Sequence, residues 1–181
     1  MRRIGLGVAI LIVCASLASA QVPPGAPSDP VNVVVAQTPV VTAGAYASGK
    51  SLGGLMTFPV FRPLKSSGIL NNFMVASKTG LTGGMTIYIF GAVPGTPCTD
   101  NTAFSLATTD QAKLIVPPFV MTLGVVGVGA AESTASQSVG ISVANADSVA
   151  SKINIYICAI TAGVTPASTS EYTFFANVLS D

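Results

Sequence analysis

A chain of 181 residues with only 8 Lys and Arg against 7 Asp and Glu has the length of a single domain and no basic stripe to hold phosphates. This argues against nucleic acid as a partner. Charged residues make up 8% of it, against about 25% in an average soluble domain. There is no histidine, which removes the commonest general base, the usual zinc and copper ligands and the physiological-pH switch.

The chain opens with Arg2 and Arg3, then an apolar run from Ile4 to Leu17, then Ala18-Ser19-Ala20. These are the positive region, hydrophobic region and small-x-small cleavage site of a secretory signal peptide, and the run is too short to favour a stable membrane span. Residues 1–20 are therefore expected to be a signal peptide cut between Ala20 and Gln21. Val13 stands before Cys14 where a lipoprotein would carry a small residue. An uncleaved anchor is the alternative. Losing Arg2 and Arg3 takes the net charge from +1 to −1 and leaves a secreted or periplasmic protein with no membrane span. Residues 21–30 hold four prolines and read as an extended linker.

From residue 31 onward, short β-rich runs alternate with Gly, Pro and Ser/Thr clusters. Val31–Val35 and Thr38–Thr42 are two pieces broken at Pro39, and Leu55–Phe61 is a third. Ile69–Ser77 follows a turn at Ser66-Ser67-Gly68. Met85–Phe90 is apolar on both faces, the mark of a central strand. Thr109–Leu114 reads as one short helix, with Thr108 and Gln111 as a capping box and Pro117-Pro118 as its stop. Phe119–Leu123 and Val139–Ala144 then flank a small-residue stretch, Gly124–Ser138, expected to be a long loop. Ile153–Cys158 alternates cleanly, with three isoleucines on one face and Asn154, Tyr156 and Cys158 on the other. Tyr172–Leu179 is the last strand. About eight strands and one short helix over residues 31–181 predict an all-β fold, a single β-sandwich of jelly-roll type.

Export leaves Cys98 and Cys158, an even pair in an oxidising compartment, and so predicts one disulfide. Two free thiols are the alternative.

Several motifs suggest chemistry that their surroundings deny. Gly44–Ser51 satisfies the Walker A pattern, but Leu52-Gly53-Gly54 and Pro59 follow where a phosphate-binding helix must start. No nucleotide is expected there, only a turn between strands. Gly49-Lys50-Ser51-Leu52-Gly53 has the form of a nucleophile elbow without a histidine base. The carboxylates are scattered, with no close pair for acid/base work. Asp100-Asn101 near Asp110 offers oxygen ligands for calcium, which turn chemistry explains better. Gly127–Ala131 only echoes a dinucleotide fingerprint. The expectation is a non-enzyme with no catalytic, cofactor-binding or metal residues.

The segment Tyr46–Phe58 resembles a Y-x-x-G-x-x-x-G-G-L-x-x-F signature of small jelly-roll virion proteins of tailed bacteriophages and prophages. Segments like Ile69–Ser77, Met85–Phe90, Thr99–Phe104, Asp110–Ile115 and Ile155–Gly163 follow in the same order. The resemblance covers most of residues 40–181 and implies a head-decoration or appendage protein, oligomeric (a trimer) and without catalytic residues. The leader, the linker and the cysteine pair depart from that pattern. An exported structural or interaction protein acting by surface recognition or self-assembly is the reading, with the virion as the other location. Its rival is an extracellular carbohydrate- or surface-binding module, whose sugars would need stacking platforms. With no Trp, only Tyr46, Tyr88, Tyr156, Tyr172 and scattered Phe could serve.

Overall fold

The structure is a computed structural model, and it describes residues 31–59, 67–125, 133–144, 148–149 and 152–180. The signal peptide, the linker and the Gly127–Ala131 motif lie outside them. The described residues form nine strands: β1 (Val31–Gln37), β2 (Lys50–Pro59), β3 (Ser67–Ser77), β4 (Gly83–Phe90), β5 (Phe119–Val125), β6 (Ser133–Ala144), β7 (Ser148–Val149), β8 (Lys152–Thr161) and β9 (Tyr172–Ser180). A single helical turn, α1 (Thr108–Gln111), lies between β4 and β5.

The pairing is nested. β1 pairs with β9, β2 with β8, β3 with β6 and β4 with β5, all antiparallel. Folding this long eight-strand hairpin across itself brings β9 beside β3 and β8 beside β4. The result is two four-stranded layers, β1-β9-β3-β6 and β2-β8-β4-β5. β6 and β5 join only at Gly124↔Thr134 and Val125↔Ser133. β7 is a two-residue partner of β8. This nested order is the jelly roll. No described helix is long and apolar enough to cross a membrane.

Alternation fills the space between the layers. Leu70, Phe73 and Val75 of β3 and Phe174, Ala176 and Val178 of β9 face Leu52, Phe58, Met85, Ile87, Ile89, Ile155 and Ile157. Phe73 sits at the centre, with ring centroids 6.3 Å from Phe58, 6.4 Å from Phe119 and 6.2 Å from Phe174. The first two pairs are edge-to-face and the third is tilted, and edge-to-face pairs add to area burial.

Several expectations need correcting. Thr38–Thr42 forms no strand. Pro39 is buried and ends the β1 run, and the amide of Val41 bonds instead to the carbonyl of Thr169. β2 begins five residues before Leu55, at Lys50, because the Gly53-Gly54 step is absorbed as a bulge. Ser67 and Gly68 belong to β3, not to a turn. Gly124–Ser138 is not one long loop, since β5 runs through Val125 and β6 starts at Ser133. Small residues suffice there because Thr134, Ser136 and Ser138 lie on the outer side of the sheet.

The helix is shorter than expected and starts one residue earlier, with Ala107 at its N-cap and no side-chain capping bond. Its end is set by tertiary pairing. The amide of Ile115 bonds to the carbonyl of Ile89 and that of Gly91 to the carbonyl of Lys113, so Lys113–Ile115 is drawn out of the helix onto the end of β4.

Candidate functional site

The sequence motifs are best judged by what the structure does with their atoms. In Gly44–Ser51 four of the backbone amides that a phosphate would need are already bonded to carbonyls. Gly44 donates to Pro166 O at 3.1 Å, Tyr46 to Val164 O at 2.8 Å, Gly49 to Thr161 O at 2.9 Å and Ser51 to Thr102 O at 2.8 Å. β2 follows directly, so no helix dipole points at the turn. The segment is a strand-connecting turn. Changing Lys50 to Ala is expected to shift stability by less than ~1 kcal/mol and to leave any effect of nucleotide on the melting curve unchanged, checked by thermal shift. Ser51, the elbow serine, is wholly buried, and its hydroxyl is out of reach of any substrate.

The three described carboxylates are each committed to fastening loops. Asp100 accepts from Thr42 N (2.8 Å), Thr42 Oγ1 (2.7 Å), Tyr46 Oη (2.7 Å) and Gly53 N (2.6 Å). Burial pushes its carboxyl up, but the donors from Gly53, Tyr46 and Thr42 outweigh this and hold it below the ordinary range. Burial, with the bond to Asp100, pushes the Tyr46 phenol up to about 12. Asp110 accepts from Gly95 N (2.9 Å), Thr96 N and Oγ1 (both 2.6 Å) and Lys113 Nζ (2.9 Å). Those donors, Thr96 and Lys113 first, hold its carboxyl far below the usual carboxylate range. Glu171, fully buried, accepts from Ser77 Oγ (2.6 Å), Thr79 N (2.9 Å) and Thr79 Oγ1 (2.7 Å).

These clamps use N–H and O–H donors throughout, so Asp100 and Asp110 act as turn-fastening groups. Among the described residues no group of three or more His, Cys, Asp or Glu is placed to hold a metal.

The Tyr-Gly-Gly-Leu-Phe signature is likewise structural. Tyr46 reaches Asp100, Gly53 and Gly54 form the β2 bulge at φ +74°, and Phe58 enters the core. Gly53 cannot be replaced without strain, because a Cβ there would collide with Pro39.

The tyrosines offer no open stacking platform. Tyr46, Tyr156 and Tyr172 are buried, and the half-buried Tyr88 ring lies 4.9 Å from that of Phe104.

Sequence reasoning missed the most consequential feature. β8 is buried on both sides. Ile155 and Ile157 face the main core, while Tyr156, Cys158 and Ile160 join Phe90 in a second apolar cluster outside the β2-β8-β4-β5 sheet. The β4–β5 connection covers it with Phe104, Leu106 and Leu114. Cys98, in that connection, is bonded to Cys158 with Cα atoms 6.1 Å apart, a span suited to a disulfide. The two-sided apolarity of Met85–Phe90 is thus satisfied within the chain, as expected of a central strand.

Among the described residues, no connection covers the opposite sheet in this way. Its outward positions form four cross-strand rows: Asn32, Leu179, Ile69, Ser142; Val34, Asn177, Asn72, Ser138; Ala36, Phe175, Met74, Ser136; and Thr173, Ala76, Thr134, to which Thr38 bonds at 3.0 Å. None is charged. The face is open to solvent, with Val34 59% and Ile69 45% exposed. Val34, Asn72, Met74, Phe175 and Asn177 line a cleft of about 230 Å³ on it. The Oδ1 atoms of Asn72 and Asn177 are buried and accept no hydrogen bond, a state that costs about 1–3 kcal/mol per group.

No family model matches the chain, and no curated protein matches it. Among solved structures it is similar to a chain of sacbrood virus of honeybee (13% identity, TM-score 0.37, covering 99% of this chain and 80% of that one). It is also similar to chains of empty-head turnip yellow mosaic virus (11%, 0.32, covering 100% and 90%) and of the Israeli acute paralysis virus full particle (10%, 0.34, covering 99% and 81%). The nested strand order, not these remote likenesses, establishes the jelly roll.

Proposed function

We propose that this is an exported, non-enzymatic structural protein that works by assembling with copies of itself, in a virion or at a cell surface. One observation carries the reading: the outward positions of the β1-β9-β3-β6 sheet include no charged residue, and Val34 and Ile69 among them are exposed. A soluble domain that works alone usually intersperses charges on such a face to prevent association. Here uncharged Asn, Ser, Thr and Ala stand among Val34, Ile69 and Phe175, and the apolar members gain by leaving water. The described carboxylates support the same view, because each fastens a loop and none is left for acid/base work.

The experiment is sedimentation of the exported protein, with its intact mass measured first. A mass beginning at Gln21 and association at tens of micromolar are expected. A monomer at that concentration overturns the assembly reading, and retained Met1 overturns cleavage.

A further inference from the structure

We infer that the β4–β5 connection is a strap over the disulfide, and that the Asp100 carboxylate is the fastener that controls thiol exchange at the bridge. This goes beyond the assembly reading and does not depend on it. Asp100 lies two residues from Cys98. Cys158 is wholly buried and Cys98 nearly so, in the cluster that holds Phe90, Tyr156 and Ile160. Reduction begins when a thiolate bonds to one sulfur and the other departs as a thiolate. With a dithiol, the second sulfur then attacks the first and closes a cyclic disulfide, and both cysteines take up protons as thiols. Attack at Cys98 Sγ would expel the Cys158 thiolate into the apolar cluster, which disfavours the charge. Cys158 presents no surface to attack. Both courses need the strap to lift.

The ties beside Cys98 decide when it lifts. Asp100 takes donors from outside the strap: Thr42 N at 2.8 Å, Thr42 Oγ1 at 2.7 Å, Tyr46 Oη at 2.7 Å and Gly53 N at 2.6 Å. Backbone bonds run next to it, from Asn101 N to Ser51 O (2.9 Å), Ser51 N to Thr102 O (2.8 Å) and Phe104 N to Gly49 O (3.1 Å). Asp110 differs. Its donors Gly95, Thr96 and Lys113 all belong to the strap, so it sets the strap's shape without holding it down. Weakening Asp100 as an acceptor leaves donors of residues 42–53 without partners and frees the strap where Cys98 sits. In an oxidising compartment the bridge therefore forms before the strap closes, and the closed clamp then shields it from reductant.

The test is the rate at which dithiothreitol reduces the oxidised full-chain protein under native conditions. Thiols are alkylated at intervals, and the Cys98 and Cys158 peptides are quantified by mass spectrometry. Asp100→Asn keeps the side chain's shape but turns one acceptor into a donor, and is expected to speed reduction at least tenfold at a temperature where its melt shows it folded. Glu171→Ala unfastens Ser77 and Thr79 beside the β3–β9 pair, away from the strap, and is expected to leave the rate within about twofold. Thr42→Ala removes one exposed bond to Asp100 and is expected to speed reduction severalfold, which decides the matter should Asp100→Asn fail to fold.

Equal acceleration by Asp100→Asn and Glu171→Ala shows that the bridge opens by global unfolding and overturns the strap. A folded Asp100→Asn reduced at the wild-type rate overturns the fastener, as does an unchanged rate in Thr42→Ala when Asp100→Asn does not fold. Wild-type protein reduced as fast as its unfolded chain overturns the shielding itself.

Discussion

Replacing Cys98 and Cys158 together by alanine is expected to lower stability by about 4 kcal/mol. The bridge closes 60 residues of sequence, and restricting the unfolded chain over a loop of that length has about this value in the chain-entropy model. For a domain of this size each kcal/mol moves the melting midpoint by about 2–4 °C, so a fall of roughly 8–16 °C should appear in differential scanning calorimetry. The loss should also be uneven. The bridge holds the β4–β5 connection over Phe90, Tyr156 and Ile160, and that connection bonds to the start of β2 through Ser51 N to Thr102 O and Phe104 N to Gly49 O. Hydrogen exchange should therefore accelerate first at Ser51 and Phe104, while the amides between β3 and β9 keep their protection. A uniform acceleration across both sheets would show that the bridge does not act as a local latch.

Glu171→Ala is the second large effect. The carboxylate is fully buried and takes the Ser77 hydroxyl, the Thr79 amide and the Thr79 hydroxyl. Truncation leaves those donors without an acceptor, at an expected cost of about 3 kcal/mol in urea denaturation.

Glu171→Gln keeps the shape and an acceptor oxygen, and isolates the charge. Burial pushes the Glu171 carboxyl up, but the bonds from Ser77 and Thr79 outweigh it and bring it below its ordinary value of 4.5. A carboxyl lowered in the folded state contributes stability that is complete above its unfolded value and is lost as pH falls through the folded value. Wild-type stability should thus decline below about pH 4.5, and Glu171→Gln should show a shallower decline there. Equal acid slopes would remove Glu171 from the causes of acid sensitivity.

Why some of this could be read in advance follows from particular residues. Ile153–Cys158 declared a strand because alternation has one period in a β-strand, and the structure places Ile155 and Ile157 on one side with Cys158 on the other. Thr109–Leu114 misled because Thr108 and Gln111 have the local chemistry of a capping box. The winning contact was non-local, with Ile115 bonding to Ile89. Gly124–Ser138 misled because β6 presents small polar residues outward, and composition alone resembles a loop. The open sheet face was invisible because its rows join residues from four separate strands.

The sequence by itself determined the class of fold: alternation, turn residues and an even pair of cysteines are local signals, and local physics suffices to read them. It also set the scarcity of charge on which the assembly proposal depends. Only the tertiary structure decided which of the two sheets is covered. That choice follows from where the β4–β5 connection lands, with Phe104, Leu106 and Leu114 burying one outer face. The other face keeps Val34, Asn72 and Asn177 at the surface, because nothing in the chain's periodicity encodes which strands become neighbours across a nested hairpin.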